Sequence, residues 1–279
     1  MRKLCVIGDP IGHSLSPVIQ NAMIQAAGLG YVYDARRVAG GDTGSWLKQA
    51  VAEGYVGFNA TMPHKENLVA LVDELSEDAA WFGSVNTVCL KNGRVYGHNT
   101  DGVGFLQALL EADMAPAGKN VLVLGAGGAA KAVVSKLSQS GARTLFVANR
   151  TQSRAKELCG RLDGDVVPCD FSPETLHRCA EQSQLVVNCT SLGMTGTAGQ
   201  FEDLSFLEVL KPEAGVFDLI YSPAQTRLLA AARELGHKTA NGLGMLIWQA
   251  VFALEYFTET KLDGPAMAVA ARRALEAII

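Results

Sequence analysis

This 279-residue chain has no apolar run of membrane-spanning length, no internal repeat or low-complexity tract, and no surplus of positive charge. Each absence removes a class of function. Lysine and arginine total 24 against 28 acids, a formal net charge of −4, with no block of one sign in either half. Nucleic acids and anionic membranes demand a basic face, so neither is expected as a partner. A small anionic ligand stays open, because it needs only a few placed cations or hydroxyls. Arg2 and Lys3 precede apolar residues in the manner of a signal peptide, but the run stops at Gly8-Asp9-Pro10, too soon for its apolar core. A soluble, cytoplasmic protein is expected.

Metal-ligand spacing is also missing. Four of the six cysteines, Cys159, Cys169, Cys179 and Cys189, fall every ten residues, yet no CxxC or Cys/His pairing accompanies them. Cys159 sits on an expected helix and Cys189 at the end of an expected strand, so their side chains have no reason to converge. Reduced thiols and no metal are the expectation.

What is present is an alternation of short apolar runs with helical stretches. Residues 121–124, 144–148, 166–167, 185–188, 216–219 and 238–240 read as strands. Helical segments at 127–139, 152–162, 174–182 and 225–235 separate them. Buried runs alternating with helices predict a parallel sheet covered on both faces. The first hundred residues are less regular: strands at 4–7, 31–36 and 56–59 are each followed by a helix. Runs at 84–90 and 94–97 then flank Lys91-Asn92-Gly93, and Asn-Gly is a preferred hairpin turn, so this part of the sheet is antiparallel. Helices are expected at 103–112, 243–257 and from 265 onward. The pattern predicts two α/β domains, with the C-terminal helices packing back on the first.

Gly125-Ala126-Gly127-Gly128-Ala129-Ala130 follows the 121–124 strand directly and opens a helix. Glycines there allow a tight turn and close backbone approach, and the amides of the helix start face a pyrophosphate. In this strand–turn–helix setting the segment signals a dinucleotide. The end of the next strand discriminates between dinucleotides. NAD sites place an acid there for the ribose hydroxyls; this chain has Asn149-Arg150-Thr151, with Arg154 one turn on. Arginine can hold a 2′-phosphate that an acid would repel, so NADP is expected over NAD. Alternatively, Arg150 and Arg154 are only a solvated helix start.

Ser16-Pro17 opens a helix, with Pro suited to its first turn and Ser to its cap; Ser14 is left over by that reading. Lys65 lies in the first turn of a helix expected to start at Pro63, where a cation opposes the helix dipole. It is either a surface lysine placed against the dipole or a group that exchanges a proton. Asp101 is either a helix cap or a partner for it.

Taken together, these segments resemble the shikimate dehydrogenase family. Gly8-Asp9-Pro10-Ile11-Gly12-His13-Ser14-Leu15-Ser16-Pro17 is similar to its N-terminal signature. Asn59-Ala60-Thr61-Met62-Pro63-His64-Lys65 resembles its lysine motif and Asn99-Thr100-Asp101-Gly102 its aspartate motif. Asn188-Cys189-Thr190-Ser191-Leu192-Gly193-Met194, Asp218-Leu219-Ile220-Tyr221-Ser222-Pro223 and Gly242-Leu243-Gly244-Met245-Leu246-Ile247-Trp248-Gln249 resemble further segments, in order, to residue 249.

The resemblance implies an α/β protein with an N-terminal mixed-sheet substrate domain at 1–101 and a Rossmann-type, parallel-sheet NADP domain at 102–240. Helices at 241–279 would return to the first domain. It implies NADPH-dependent, reversible reduction of 3-dehydroshikimate to shikimate, a step of aromatic amino-acid biosynthesis, by a monomer or homodimer that needs no metal. By the same resemblance Lys65 and Asp101 meet at the reacting hydroxyl. Ser14, Ser16, Thr61, Asn86, Tyr221 and Gln249 hold the carboxylate and ring hydroxyls. Gly125, Ala126, Gly127, Gly128, Ala129, Asn149, Arg150, Thr151 and Arg154 hold the cofactor, and Leu219 and Gly242 line the nicotinamide side of a cleft between domains.

His13, His64 and His98 lie beside these motifs without any ligand spacing and are read as bystanders. Two departures stand out. Ala60 replaces a more usual valine, which touches packing only, and Cys189 and Ser191 stand where alanine and proline are common, which puts loop contacts to the cofactor in doubt. Two rival readings are a quinate/shikimate dehydrogenase with relaxed cofactor choice and a catalytically silent NADP-binding paralogue. Relatives of the first kind often differ at the positions of Ser16 and Arg150, and the second kind would be expected to lose the Lys65–Asp101 pair. A dehydrogenase sharing only the cofactor fold leaves the motifs before residue 101 unexplained.

Overall fold

A computed structural model of the protein describes residues 1–278. The chain runs β1 (Arg2–Gly8), α1 (Ser16–Ala26), β2 (Tyr31–Arg37), α2 (Thr43–Ala52), β3 (Tyr55–Ala60), α3 (His64–Asn67), β4 (Glu74–Leu75), α4 (Glu77–Phe82), β5 (Thr87–Lys91), β6 (Arg94–His98) and α5 (Asp101–Glu111). It continues β7 (Asn120–Leu124), α6 (Gly128–Gln139), β8 (Thr144–Ala148), α7 (Gln152–Cys159), β9 (Asp165–Cys169), α8 (Pro173–Gln182), β10 (Leu185–Asn188), β11 (Gly215–Asp218), α9 (Arg227–Glu234), β12 (Lys238–Ala240), α10 (Leu243–Thr258) and α11 (Gly264–Glu276). Two compact units result, Met1–Gly104 with Ile247–Ile279, and Phe105–Leu246. Both divisions fall inside helices, α5 and α10, whereas the sequence reading puts them at 101/102 and 240/241.

The first unit holds a six-stranded sheet in the order β2-β1-β3-β5-β6-β4. β1 pairs in parallel with β2 and β3; β5 runs antiparallel to both β3 and β6. The β5–β6 turn is the one expected from Asn-Gly: Asn92 and Gly93 have φ of 51° and 74°, the left-handed pair of a type I′ hairpin. β5 begins at Thr87, later than expected, because the preceding amides are committed elsewhere. Val85 N–H donates to the Lys65 carbonyl at 2.8 Å and Asn86 N–H to that of His98 at 3.0 Å. One face buries Ile7, Trp46, Leu47, Phe58, Leu68 and Val88 in a shared core. α1 packs on α11, with Ile19, Met23, Met267 and Ala271 buried.

The second unit holds a six-stranded sheet, all its pairs parallel, in the order β12-β11-β10-β7-β8-β9. Its central strands are apolar on both faces, as a helix-covered parallel sheet requires: Val121, Leu122, Val123 and Leu124 are fully buried, as are Leu185, Val186 and Val187. Chain direction reverses across the sheet between β7 and β10, which is where doubly wound sheets open a crevice at their carboxyl ends.

One cysteine pair comes close in space. Cys169 at the end of β9 and Cys179 on α8 place their sulfurs 3.7 Å apart in a shared core. All six cysteines are free thiols, and no group of three metal-ligating side chains occurs among the described residues. No helix among the described residues is long and apolar enough to cross a membrane.

Candidate active site

Topology gathers the candidate residues of the first unit at one end of its sheet. β1 and β3 are parallel neighbours, so the loop carrying Ser14 and Ser16 and the turn carrying Thr61 and Lys65 leave the sheet at the same end. Main-chain bonds fasten them there: Thr61 N–H donates to Ile7 O at 2.9 Å and Asp9 N–H to Met62 O at 3.1 Å. β5 is antiparallel, so Asn86 at its start lies at that end too, as do Thr100 and Asp101 just past β6.

The structure joins Lys65 to Asp101. Lys65 Nζ donates to Asp101 Oδ2 at 2.7 Å, with side chains 30% and 18% exposed. Asn86 Nδ2 donates to the other oxygen, Oδ1, at 2.8 Å. Asp101 is therefore not spent as a helix cap, since both carboxylate oxygens face side chains. Lys65 lies on a helix of only four residues whose first-turn neighbour Pro63 occupies the cap position. A single turn carries little dipole, so Asp101 is the larger electrostatic influence on the lysine.

Ser16 is not the cap expected of it. α1 starts at Ser16 itself, Leu15 is the cap residue, and no side chain caps the helix there. Ser14 Oγ instead accepts from Ser16 N–H at 3.3 Å, so Ser14 shapes the turn. The Ser16 hydroxyl is half-buried beside an uncapped helix start, an arrangement suited to an anion. Gln249 on α10 meets the same end of the sheet: Thr100 Oγ1 lies 3.5 Å from Gln249 Oε1. α5 and α10 touch there through Gly104, where a Cβ would come within 2.6 Å of the Gln249 amide nitrogen.

In the second unit Gly125 has φ of +105°, a backbone that L side chains rarely adopt. Space forbids a side chain as well, since a Cβ would meet Thr190 Cγ2 at 3.0 Å and the Cys189 carbonyl carbon at 3.2 Å. The turn is tied to the next strand by Asn149, whose Oδ1 accepts from Ala126 N–H at 3.1 Å and whose Nδ2 donates to Thr151 O at 2.9 Å. Gly127, Gly128 and Ala129 are exposed, and Gly127, the cap of α6, offers no side chain to the leading amides. Arg150 and Arg154 are exposed and form no ion pair among the described residues. Arg150 also borders a pocket of about 240 Å³ lined by Phe171, Leu176, Leu192 and Phe201.

The departures at Cys189 and Ser191 sit on a braced loop. Asn188 Oδ1 accepts from both the amide (3.0 Å) and hydroxyl (2.7 Å) of Thr190, and Asn188 Nδ2 donates to Asp218 Oδ1 at 3.0 Å. Asp218 is fully buried and also accepts from Thr226 Oγ1 at 2.7 Å and Ile220 N–H at 3.1 Å. Burial pushes its carboxyl above the ordinary range, against those hydrogen bonds, which favour the ionised form. Leu219 and Gly242 adjoin this brace, and a Cβ on Gly242 would fall 1.9 Å from Leu219 O. Tyr221, 39% exposed, belongs to this unit.

Residues 6–88 match the shikimate dehydrogenase substrate binding domain, and residues 109–199 match shikimate / quinate 5-dehydrogenase. A shikimate dehydrogenase (NADP(+)) of Geobacter sulfurreducens is 42% identical over 263 residues, covering 92% of this chain and 91% of that protein.

The chain belongs to the shikimate dehydrogenase family.

Solved structures agree in fold. A Listeria monocytogenes shikimate 5-dehydrogenase in complex with shikimate and NAD superposes with a TM-score of 0.89 at 32% identity, covering 100% of this chain and 96% of that one. A Corynebacterium glutamicum quinate dehydrogenase in complex with NAD gives 0.87 at 33%, covering 98% and 99%. These two neighbours are named for different polyols and share NAD, whereas the Geobacter sulfurreducens relative is named for NADP(+). His13 is exposed and His64 is structural: fully buried, its Nδ1 meets Thr43 Oγ1 at 2.8 Å and its Nε2 meets Val38 O at 2.9 Å. Asn59, Thr87 and Thr100, with no site role expected from the sequence, bond to Asn86, and Asp218 braces the loop at Thr190 through Asn188. Asn59, Thr100 and Asp218 lie inside segments that resemble family motifs, whereas Thr87 lies in none.

Proposed function

We propose that this chain catalyses the reversible, NADPH-dependent reduction of 3-dehydroshikimate to shikimate. The observation that carries the reading is the Lys65–Asp101 pair, 2.7 Å apart and still partly exposed, on a chain of this family. A pair kept only for stability gains little from that position, because partly exposed ion pairs contribute about 0–1 kcal/mol. A pair at a reacting hydroxyl has what the chemistry needs.

The residues fit a dinucleotide phosphate. The exposed turn at Gly127 and Gly128 leaves open space where side chains would stand, above uncapped helix amides. Arg150 and Arg154, with no acid at the end of β8, suit a 2′-phosphate, and the aromatic pocket beside Arg150 suits the adjoining base. When bound, NADPH supplies the hydride that reduces the substrate carbonyl carbon. Lys65 places positive charge and a transferable proton at the oxygen where negative charge develops. Asp101 holds that ammonium through Oδ2 and accepts a hydrogen bond from the product hydroxyl. Asn86 fixes Asp101 from the other side. Ser14 and Ser16 bind the carboxylate, and Thr61, Tyr221 and Gln249 hold the ring hydroxyls and the rest of the carboxylate.

The test is an absorbance assay for reduced nicotinamide, crossing shikimate and quinate with NADP and NAD. Fast turnover with shikimate and NADP, at least tenfold above every other pair, supports the reading. Comparable turnover with quinate or NAD moves the protein to the relaxed kind, and no turnover in any pair makes it a silent paralogue.

A further inference from the structure

Behind the Lys65–Asp101 pair lies a buried run of directional hydrogen bonds whose outer members, Tyr33, Asn59 and Thr87, have no part in the proposed reaction. Tyr33, on β2 and 2% exposed, donates its hydroxyl to Asn59 Oδ1 at 2.7 Å. Asn59 Nδ2 donates to the Asn86 carbonyl at 3.0 Å and to Thr87 Oγ1 at 2.9 Å. Thr87, fully buried, donates in turn to Asn86 Oδ1 at 2.8 Å. Asn86 Nδ2 then donates to Asp101 Oδ1 at 2.8 Å, and Lys65 donates to Oδ2 at 2.7 Å.

The donors and acceptors in this run admit one arrangement. The Asn86 carbonyl can only accept, so it must face the Asn59 nitrogen, which leaves Asn59 Oδ1 for the Tyr33 proton. The Thr100 amide can only donate, and it reaches Asn86 Oδ1 at 2.9 Å, so the Asn86 nitrogen must face Asp101. Thr87 sits between a fixed donor and a fixed acceptor, and its single proton can only point toward Asn86. Donation into Oδ1 polarises the Asn86 amide and makes its nitrogen a firmer donor to the carboxylate.

These side chains are not needed to hold the strands. β3 and β5 are already paired by main-chain bonds, with Asn59 opposite Thr87 and Ala60 N–H on the Asn86 carbonyl at 2.9 Å. A valine would fill the Thr87 position equally well on a strand. Burying a hydroxyl there is useful only for what it bonds.

We infer that Thr87, with Tyr33 behind it through Asn59, is a positioning residue: it fixes the Asn86 amide and thereby holds Asp101 where it can orient Lys65. The inference rests on the proposed function, and it adds residues that touch neither substrate nor cofactor.

The test compares Thr87→Val, Thr87→Ser and Tyr33→Phe with the parent enzyme, measuring kcat and KM for shikimate at saturating NADP alongside the melting temperature. The inference predicts that Thr87→Val lowers kcat about tenfold with KM within about twofold, and that Thr87→Ser, which keeps the hydroxyl, stays within about twofold of the parent. Tyr33→Phe, which removes one oxygen and fills the same space, lowers kcat about threefold with KM unchanged, and it carries the test if Thr87→Val does not fold. Parent-like kcat in Thr87→Val, or in Tyr33→Phe where the valine variant fails, overturns the inference. So does equal impairment of the valine and serine variants, or a loss of kcat that merely follows a lowered melting temperature. A parent enzyme inactive on shikimate and NADP would sink the proposed function instead, a different result from an active parent indifferent to Thr87.

Discussion

Lys65 Nζ and Asp101 Oδ2 lie 2.7 Å apart, and Asn86 takes the second oxygen of the carboxylate at 2.8 Å. Asp101 is thereby gripped from two sides while the lysine keeps donors to spare, since an ammonium has three and this one meets a single acceptor among the described residues. The spare donors are what a substrate oxygen would use. Because the pair is partly exposed, removing it should change activity far more than stability.

Arg150 supplies the cleanest test of cofactor choice. A charge-assisted hydrogen bond contributes about 1.5–3 kcal/mol, so Arg150→Ala should raise KM for NADP roughly ten- to a hundredfold. KM for NAD, which lacks the 2′-phosphate, should stay within about twofold. Steady-state kinetics with both dinucleotides decide it, and an unchanged KM for NADP would remove Arg150 from the site.

His98 should impose a pH dependence on stability. Its ring stacks on Tyr256, centroids 3.9 Å apart, with Nδ1 buried and lacking a partner, and burial lowers its pKa from the ordinary value. The unfolded chain then takes up a proton first as pH falls. The stability in question is complete above about pH 6.5 and is lost as pH falls through the lowered value. Melting curves between about pH 8 and pH 5 should show a shallower decline for His98→Phe, which keeps the stacked ring, than for the parent. Parallel declines would contradict the assignment.

Gly242 tests the packing beneath the expected nicotinamide position. A Cβ there would lie 1.9 Å from the Leu219 carbonyl oxygen, closer than any relaxed contact. Gly242→Ala should lower stability by about 1–3 kcal/mol and weaken NADP binding, because the Leu219 backbone must move. Calorimetric melting and NADP titration check both parts; an unshifted melting point would show that the loop yields freely.

Much of this was legible in the sequence. Strands 144–148 and 185–188 match the structure residue for residue because mainly apolar runs bounded by turn residues mark their own ends. The Asn-Gly hairpin was legible because its φ angles suit few other residues. Long-range side-chain contacts were not. Nothing local reveals that Ser14 rather than Ser16 supports the start of α1, nor that Cys169 on β9 meets Cys179 on α8. Thr87 was invisible for the same reason: a threonine in a strand is ordinary, and only the fold puts it between Asn59 and Asn86.

The central claim is that Lys65 acts on the reacting oxygen rather than on binding or folding. The most direct measurement pairs the turnover of Lys65→Ala on shikimate and NADP with calorimetric titration of shikimate into the same variant. The account predicts kcat lower by about 10²–10⁴-fold, shikimate affinity within a few-fold of the parent, and an essentially unchanged melting temperature. Parent-like turnover in that variant would contradict it outright.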